Sequence, residues 1–182
     1  MKETALRIRI FGDQALRKKA KSVKELTTKH REYLSAMARL MYEGDGIGLA
    51  APQVGLSEAM IVIDIGSGLF KLVNPKIIKI EGRQVLEEGC LSVPGVCIKV
   101  KRAKKVKVKA LDESGRQIVI DAEDLFACVL QHEIDHLNGK LIVDYASIID
   151  KVRIKNKLEE LKKKAKDEEL SESETKSCQL QL

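Results

Sequence analysis

The stretch DAEDLFACVLQHEIDHLNG, residues 121–139, carries the clearest helical pattern in the chain and two of its three histidines. Its apolar residues and both histidines recur at three- and four-residue steps, which places on one stripe Leu125, Cys128, Val129, His132 and His136. Asp121 is the predicted N-cap, and Gly139 is the predicted stop. Because the stripe is apolar as well as imidazole-bearing, we expect this helix to be packed against a sheet with the histidines facing inward.

The segments around this helix predict an α+β fold, in which antiparallel β-sheets wrap around the central HExxH helix. Residues 26–46 predict an N-terminal helix that begins at Thr27 or Thr28 and ends at Gly44. Runs rich in β-branched residues predict strands within residues 59–65, 70–80, 83–88, 104–111 and 116–121. KLIVDY, residues 140–145, is expected to be extended. A C-terminal helix from about Ser147 has an apolar row formed by Ile154, Leu158 and Leu161.

Composition indicates one domain, residues 1–166 including the C-terminal helix, followed by an acidic, flexible tail, residues 167–182. The net charge of +6 is concentrated in residues 98–110, which carry seven basic and no acidic residues, and in residues 151–166. The chain shows no membrane-spanning or leader pattern, so we expect a cytoplasmic protein. In that compartment the four cysteines are expected to be reduced thiols: Cys90, Cys97, Cys128 and Cys178.

The spacing of the two histidines predicts a metal site. Residues i and i+4 share a helix face, so His132 and His136 can bind one ion, while Glu133 flanks it as a general base for water. Spacing alone leaves the third ligand open between Cys90 and Glu159.

Three function classes fit this pattern. One is a metal-dependent hydrolase in which Cys90 is the third ligand. Another is a zinc endopeptidase in which Glu159 or Glu160 takes that place. The last is an RNA-binding module that uses residues 98–110 and a structural metal, although no fourth protein ligand is evident and aromatic residues are missing from that stretch.

Three motifs together resemble the peptide deformylase family over residues 1 to about 165. They are GIGLAAPQ at 46–53, EGCLS at 88–92 and QHEIDH at 131–136. The resemblance implies a metal-dependent hydrolase that removes the N-formyl group from the N-terminal methionine of newly synthesised polypeptides and releases formate. It implies that Cys90, His132 and His136 hold one divalent ion per chain, Fe²⁺ by expectation, with Zn²⁺, Ni²⁺ or Co²⁺ as alternatives.

The resemblance also assigns the remaining roles. A metal-activated water attacks the formyl carbon with Glu133 as general base and acid, while Gln53 and the backbone N–H of Leu91 stabilise the oxyanion. Substrate is expected to pair with Ile47 and Gly48, and its methionine side chain to enter a pocket formed by Leu125, Cys128 and Val129. A buried Glu88–Arg102 pair is expected to support the Cys90 loop. The expected partners are N-formylmethionyl nascent peptides and, through the basic C-terminal helix, the ribosome; we expect a monomer or weak dimer.

Overall fold

A computed structural model describes residues 6–167. Within that range the chain forms three α-helices, α1 (Thr28–Glu43), α2 (Asp124–Leu137) and α3 (Ile148–Asp167). It forms seven strands, β1 (Gly48–Ala50), β2 (Met60–Ile63), β3 (Phe70–Glu81), β4 (Gln84–Glu88), β5 (Ile98–Arg102), β6 (Lys105–Leu111) and β7 (Gln117–Glu123). Short 3₁₀ turns cover Gln14–Arg17, Ala51–Val54 and Ile142–Tyr145. No helix in the described range combines the length and hydrophobicity needed to cross a membrane.

The strands form two antiparallel sheets, and the predicted α+β class is confirmed. The larger sheet has the order β1-β2-β3-β6-β7, and β4 pairs with β5 in a separate two-stranded sheet. Side chains alternate along β5 as a half-buried strand requires, with Ile98, Val100 and Arg102 buried and both lysines exposed. The β4–β5 hairpin thereby directs Arg102 and Glu88 into the interior, next to the region that precedes Cys90.

Aliphatic side chains fill three core clusters, as expected for a chain that lacks tryptophan. Helix α1 begins after Thr27, ends at Gly44 as predicted, and buries Leu34, Met37 and Met41. Helix α2 packs through Val129 and its other apolar residues against the five-stranded sheet. The predicted apolar row of α3 is confirmed, because Ile154 and Leu161 are buried and Leu158 packs against them.

Two local predictions are wrong. Helix α2 begins at Asp124 rather than after Asp121, because Asp121 is still in β7, where it is paired with Lys107. KLIVDY is not extended: Ile142–Tyr145 form a 3₁₀ turn in which Asp144 accepts a hydrogen bond from the backbone of Leu141.

Cys90 and Cys128 are free thiols, as expected. The expectation for Cys178, like that for the acidic tail beyond Asp167, lies outside the described residues.

Candidate metal centre

The structure brings the three predicted ligands together. Cys90 follows the end of β4, while His132 and His136 lie one turn apart on α2. One potential ligand atom from each lies within 4.8 Å of the others, and no other such group of three occurs among residues 6–167. His136 Nε2 lies 3.3 Å from the Cys90 sulfur and 3.1 Å from His132 Nε2. A strand end and a helix face thus direct one thiol and two imidazoles at a common point.

A buried carboxylate orients the first imidazole. Glu88 Oε2 lies 2.9 Å from His132 Nδ1, and Arg102 donates to both oxygens of Glu88 over 2.7 and 2.8 Å. Burial alone would raise the pKa of Glu88, but the hydrogen bonds from Arg102 and His132 outweigh it and lower the pKa to about 2. An ionised Glu88 accepts a hydrogen bond from Nδ1–H of His132, so a neutral His132 carries its lone pair on Nε2.

The predicted Glu88–Arg102 pair is buried and is part of a larger hydrogen-bonded network that extends towards the surface. The Arg102 guanidinium also donates to Asp135, and the Tyr145 hydroxyl donates to the same carboxylate over 2.7 Å. Cys128, predicted for the methionine pocket, donates to Glu88 over 3.2 Å, and burial raises the pKa of its thiol. Asp135 and Tyr145 were not predicted; Asp135 lies three residues after His132, on a neighbouring position of the helix surface, but its spacing does not point to Arg102.

The buried amide of Gln53 faces the Cys90 sulfur. Its Oε1 accepts a hydrogen bond from the backbone N–H of Ala50 over 2.7 Å, which fixes the orientation of the amide. Its Nε2 then donates to Ser92 Oγ over 3.2 Å and lies 3.6 Å from the Cys90 sulfur. Leu91, between Cys90 and Ser92, is also buried. Ser92 was not predicted; its signal is a lone polar residue in an otherwise apolar run after EGC.

Glu133 is buried beside the imidazoles. Burial raises its pKa to about 7, and its Oε2 has no hydrogen-bond partner among the described residues. His136 Nδ1 is likewise buried without a partner among the described residues, and burial lowers the pKa of His136 well below its ordinary value. A neutral ring is the form that ligates a metal, so this donor set fits an ion.

The chemistry of the donors narrows the type of site. One thiol and two imidazoles suit transition metals rather than calcium or magnesium. Three protein ligands are also the number found in catalytic zinc sites, whereas structural sites have four. Glu159 and Glu160, the alternative third ligands, are exposed on α3, where Lys162 and Lys157 respectively pair with them.

The predicted substrate residues lie in or next to strand β1 and helix α2. Strand β1 is the first strand of its sheet and pairs with β2, so its other edge is not covered by a named strand. Gly48 lies in β1, and Ile47 packs with Leu125 and Val129 in the cluster between α2 and the sheet. These residues are therefore placed beside the HExxH helix.

Comparison with known proteins identifies the family. The family model described as polypeptide deformylase matches residues 5–152. The chain belongs to the peptide deformylase family. A peptide deformylase from Thermoanaerobacter pseudethanolicus is 54% identical over 139 residues, which cover 76% of this chain and 87% of the relative.

Solved structures of peptide deformylases share the fold. The crystal structure from Legionella pneumophila matches with a TM-score of 0.82 and 43% identity over 87% of this chain and 95% of that one. The structure from Synechococcus elongatus, in complex with actinonin, matches with a TM-score of 0.77 and 39% identity over 90% of this chain and 89% of that one. The predicted enzyme class is therefore confirmed: the chain is a hydrolase of protein biosynthesis, and its Cys90, His132 and His136 side chains are close enough together to hold one metal ion.

Proposed function

We propose that this deformylase hydrolyses the formyl group of N-formylmethionyl nascent peptides at the point where Cys90, His132 and His136 meet. The observation that carries this proposal is the convergence of the three ligand atoms: His136 Nε2 lies 3.3 Å from the Cys90 sulfur and 3.1 Å from His132 Nε2, and all three atoms lie within 4.8 Å of one another. These three residues would hold one divalent ion, for which Fe²⁺ is the expected identity. Such an ion, when bound, polarises a carbonyl and lowers the pKa of water at its open position.

Glu133 carries the proton. Its buried carboxylate takes a proton from the attacking water and later gives it to the leaving nitrogen. The bond between the formyl carbon and that nitrogen breaks, and the products are formate and a free amino group on methionine. The chain supports this role because Glu133 Oε2 has no competing hydrogen-bond partner in the described region and is shielded from bulk water.

Two donors stabilise the oxyanion that forms on the formyl oxygen. Gln53 Nε2 faces the Cys90 sulfur, and its amide is already oriented by Ala50 and Ser92. The backbone N–H of Leu91 directly follows the ligand and is the second donor. Donors that are fixed before the reaction need no reorganisation, and loss of one typically slows hydrolysis by about 100-fold or more.

Substrate pairs as an extended strand with the free edge of β1 at Ile47 and Gly48. The methionine side chain packs against the cluster that contains Leu125 and Val129, while Cys128 closes its inner end beside Glu88. A formyl carbon carries only hydrogen, so a small cavity beside Cys90 would admit it and exclude bulkier acyl groups.

Formate release from matched peptides tests this function. The metal-loaded protein should release formate from a formyl-methionyl peptide and should leave the acetyl-methionyl peptide intact. Equal turnover of the two peptides would contradict the small-cavity argument, and no formate release at all would contradict the function. Glu133→Ala should retain the ion, measured by metal analysis, and lose hydrolysis.

A second pair of variants separates this function from the endopeptidase alternative. Cys90→Ala should lose tight metal binding, because it removes one of three ligands. The double variant Glu159→Gln with Glu160→Gln is the matched control and should retain the ion and the activity. If Cys90→Ala retained the ion and the double variant lost it, the third ligand would be assigned to α3.

The cellular setting follows from the same assignment. We expect residues 1–166 to act as one cytoplasmic catalytic domain, as a monomer or weak dimer. The basic face of α3, together with Ile148 and Ile149, which are 83% and 80% exposed, would dock on the ribosome. Charge reversal of Lys151 and Lys155 should weaken co-sedimentation with ribosomes and reduce its salt dependence, while peptide deformylation stays unchanged. Full co-sedimentation of that variant would contradict docking through α3.

A further inference from the structure

Three alternating glycines, Gly44, Gly46 and Gly48, lead into and begin β1. None of them has a positive φ, so their backbone conformation is open to other residues. Their neighbours differ. A Cβ atom on Gly48 would lie 2.3 Å from Oε1, 2.9 Å from Cδ and 3.0 Å from Cγ of Glu133. A Cβ atom on Gly46 would instead lie 2.8 Å from Cδ1 of Leu91.

We propose that Gly48 is a positioning residue for Glu133, because the absence of a side chain at this position provides the space that the Glu133 carboxylate occupies. A Cβ atom at position 48 would be too close to Glu133 from Cγ to Oε1, so rotation of the carboxylate alone cannot relieve the clash. Glu133 is 3% exposed, which leaves little free volume into which the displaced group could move.

The two backbones that form this contact are both fixed. Gly48 is held in β1 by its pairing with Ile63 of β2, and Asp64 donates a backbone hydrogen bond to Ile47 over 3.0 Å. Glu133 lies in the middle of α2, whose apolar face packs against the same sheet. A side chain at position 48 therefore has to displace the Glu133 side chain rather than separate the strand from the helix.

The neighbouring glycine supplies a matched comparison. Gly46 would also place a Cβ too close to a side chain, but the atom it meets is a terminal methyl group of Leu91. A methyl group at the end of a leucine can move through a small rotation of χ angles. Gly46→Ala is thus the same substitution, two residues away in the same segment, with a different side-chain neighbour.

A stability cycle tests the contact without reference to activity. Metal-loaded wild-type protein, Gly48→Ala, Glu133→Ala and the double variant are compared by thermal unfolding. Gly48→Ala alone should lower the unfolding midpoint by about 5 °C, as overpacking of a rigid site does. In the Glu133→Ala background the same substitution should be neutral or stabilising, because the clash is gone and alanine restricts the unfolded chain.

Gly46→Ala is the control in the same stability measurements. Gly46→Ala should change the midpoint equally in the wild-type and Glu133→Ala backgrounds, because it does not touch Glu133. Equal cost of Gly48→Ala in both backgrounds would overturn the proposal. The unfolding midpoints test the contact between position 48 and Glu133 even if the protein releases no formate in any assay. A failure of this inference can therefore be distinguished from a failure of the proposed function.

An activity arm, which rests on the proposed role of Glu133, tests the positioning. Gly48→Ala should lower kcat for a formyl-methionyl peptide by about 100-fold, the usual size of a general acid–base contribution. In the Glu133→Asp background, where the carboxylate is one methylene shorter, Gly48→Ala should cost less than about tenfold. Metal content should be equal in all four proteins. A rise in KM with unchanged kcat would refer the effect to peptide pairing at β1 and overturn the positioning role.

Discussion

Replacing Arg102 with methionine should destabilise the protein strongly, because Arg102 is buried and contacts two carboxylates, of which Glu88 is buried and Asp135 is partly buried. It donates to both oxygens of Glu88 and to Asp135. The side chains of Arg102 and Glu88 are 4% and 3% exposed, so water cannot replace the lost hydrogen bonds. Methionine fills a comparable volume, and the effect therefore reports the loss of charge rather than the loss of packing.

The magnitude follows from the burial of the pair. Removal of one partner from a buried ion pair costs about 3–5 kcal/mol, because the other charge remains uncompensated. The Glu88 pKa is lowered to about 2 against the effect of burial, a net preference for the ionised form of about 3 kcal/mol to which both Arg102 and His132 contribute. For a chain of this length, such a loss lowers the unfolding midpoint by about 10 °C.

Urea and thermal unfolding of the metal-loaded protein measure this loss. Lys105→Met is the matched control, because Lys105 pairs with Glu123 over 2.7 Å in the neighbouring strands but both side chains are about half exposed. Lys105→Met should lower the free energy of unfolding by less than about 1 kcal/mol. Adding Glu88→Gln to Arg102→Met should recover about 2 kcal/mol relative to the sum of the two single losses. Strict additivity, or a loss no larger than that of the control, would refute the reasoning.

Three further predictions address the core, the pH dependence and the ion. Leu34→Ala should cost about 2–5 kcal/mol, because Leu34 is fully buried, whereas Ile80→Ala, at 65% exposure, should cost less than about 0.5 kcal/mol in urea unfolding. Burial would raise the pKa of Asp144, but hydrogen bonds from Arg17 outweigh it and hold the pKa below its usual range, so this pair stabilises the fold above about pH 4 and the contribution is lost as pH falls through the lowered value. Arg17→Met should therefore flatten the acid side of a plot of unfolding midpoint against pH, by a small amount because both side chains are more than a third exposed. Dialysis against a chelator should abolish formate release and lower the unfolding midpoint, and addition of Fe²⁺ or Zn²⁺ should restore both.

The elements that could be predicted are those whose signals are local. Helix α1 has its predicted caps, Thr27 and Gly44, and helix α3 has its predicted apolar row. Each of these signals depends only on residues within the helix or directly next to it. The start of α2 could not be predicted in this way. Asp121 is a good capping residue, but its pairing with Lys107 continues the β6–β7 ladder for two more residues. Pairing with a strand ten or more residues away outweighed the local preference for a cap.

The candidate site also contains residues that local sequence could predict and residues that it could not. His132 and His136 could be predicted as ligands from their four-residue spacing alone. Spacing did not favour Cys90 over Glu159 as the third ligand. The difference between those two comes from long-range packing: burial of Glu88 directs the end of β4 inward, and α3 holds Glu159 in solvent. Asp135 and Tyr145 could not be predicted, because their role depends on Arg102, which is more than thirty residues away along the chain.

In the proposed metal-loaded enzyme, the charges around this centre would match the charge of a divalent cation. Glu88 and Asp135 together exceed the single positive charge of Arg102 by one negative charge, and a Cys90 thiolate adds a second. A divalent ion ligated by that thiolate and two neutral imidazoles would neutralise both. Glu133 would then be an additional buried charge, which is consistent with a pKa raised to about 7 by burial. Under the proposed function, the network that orients His132 would also favour a divalent ion, and Glu133 would be the residue that holds or releases the proton.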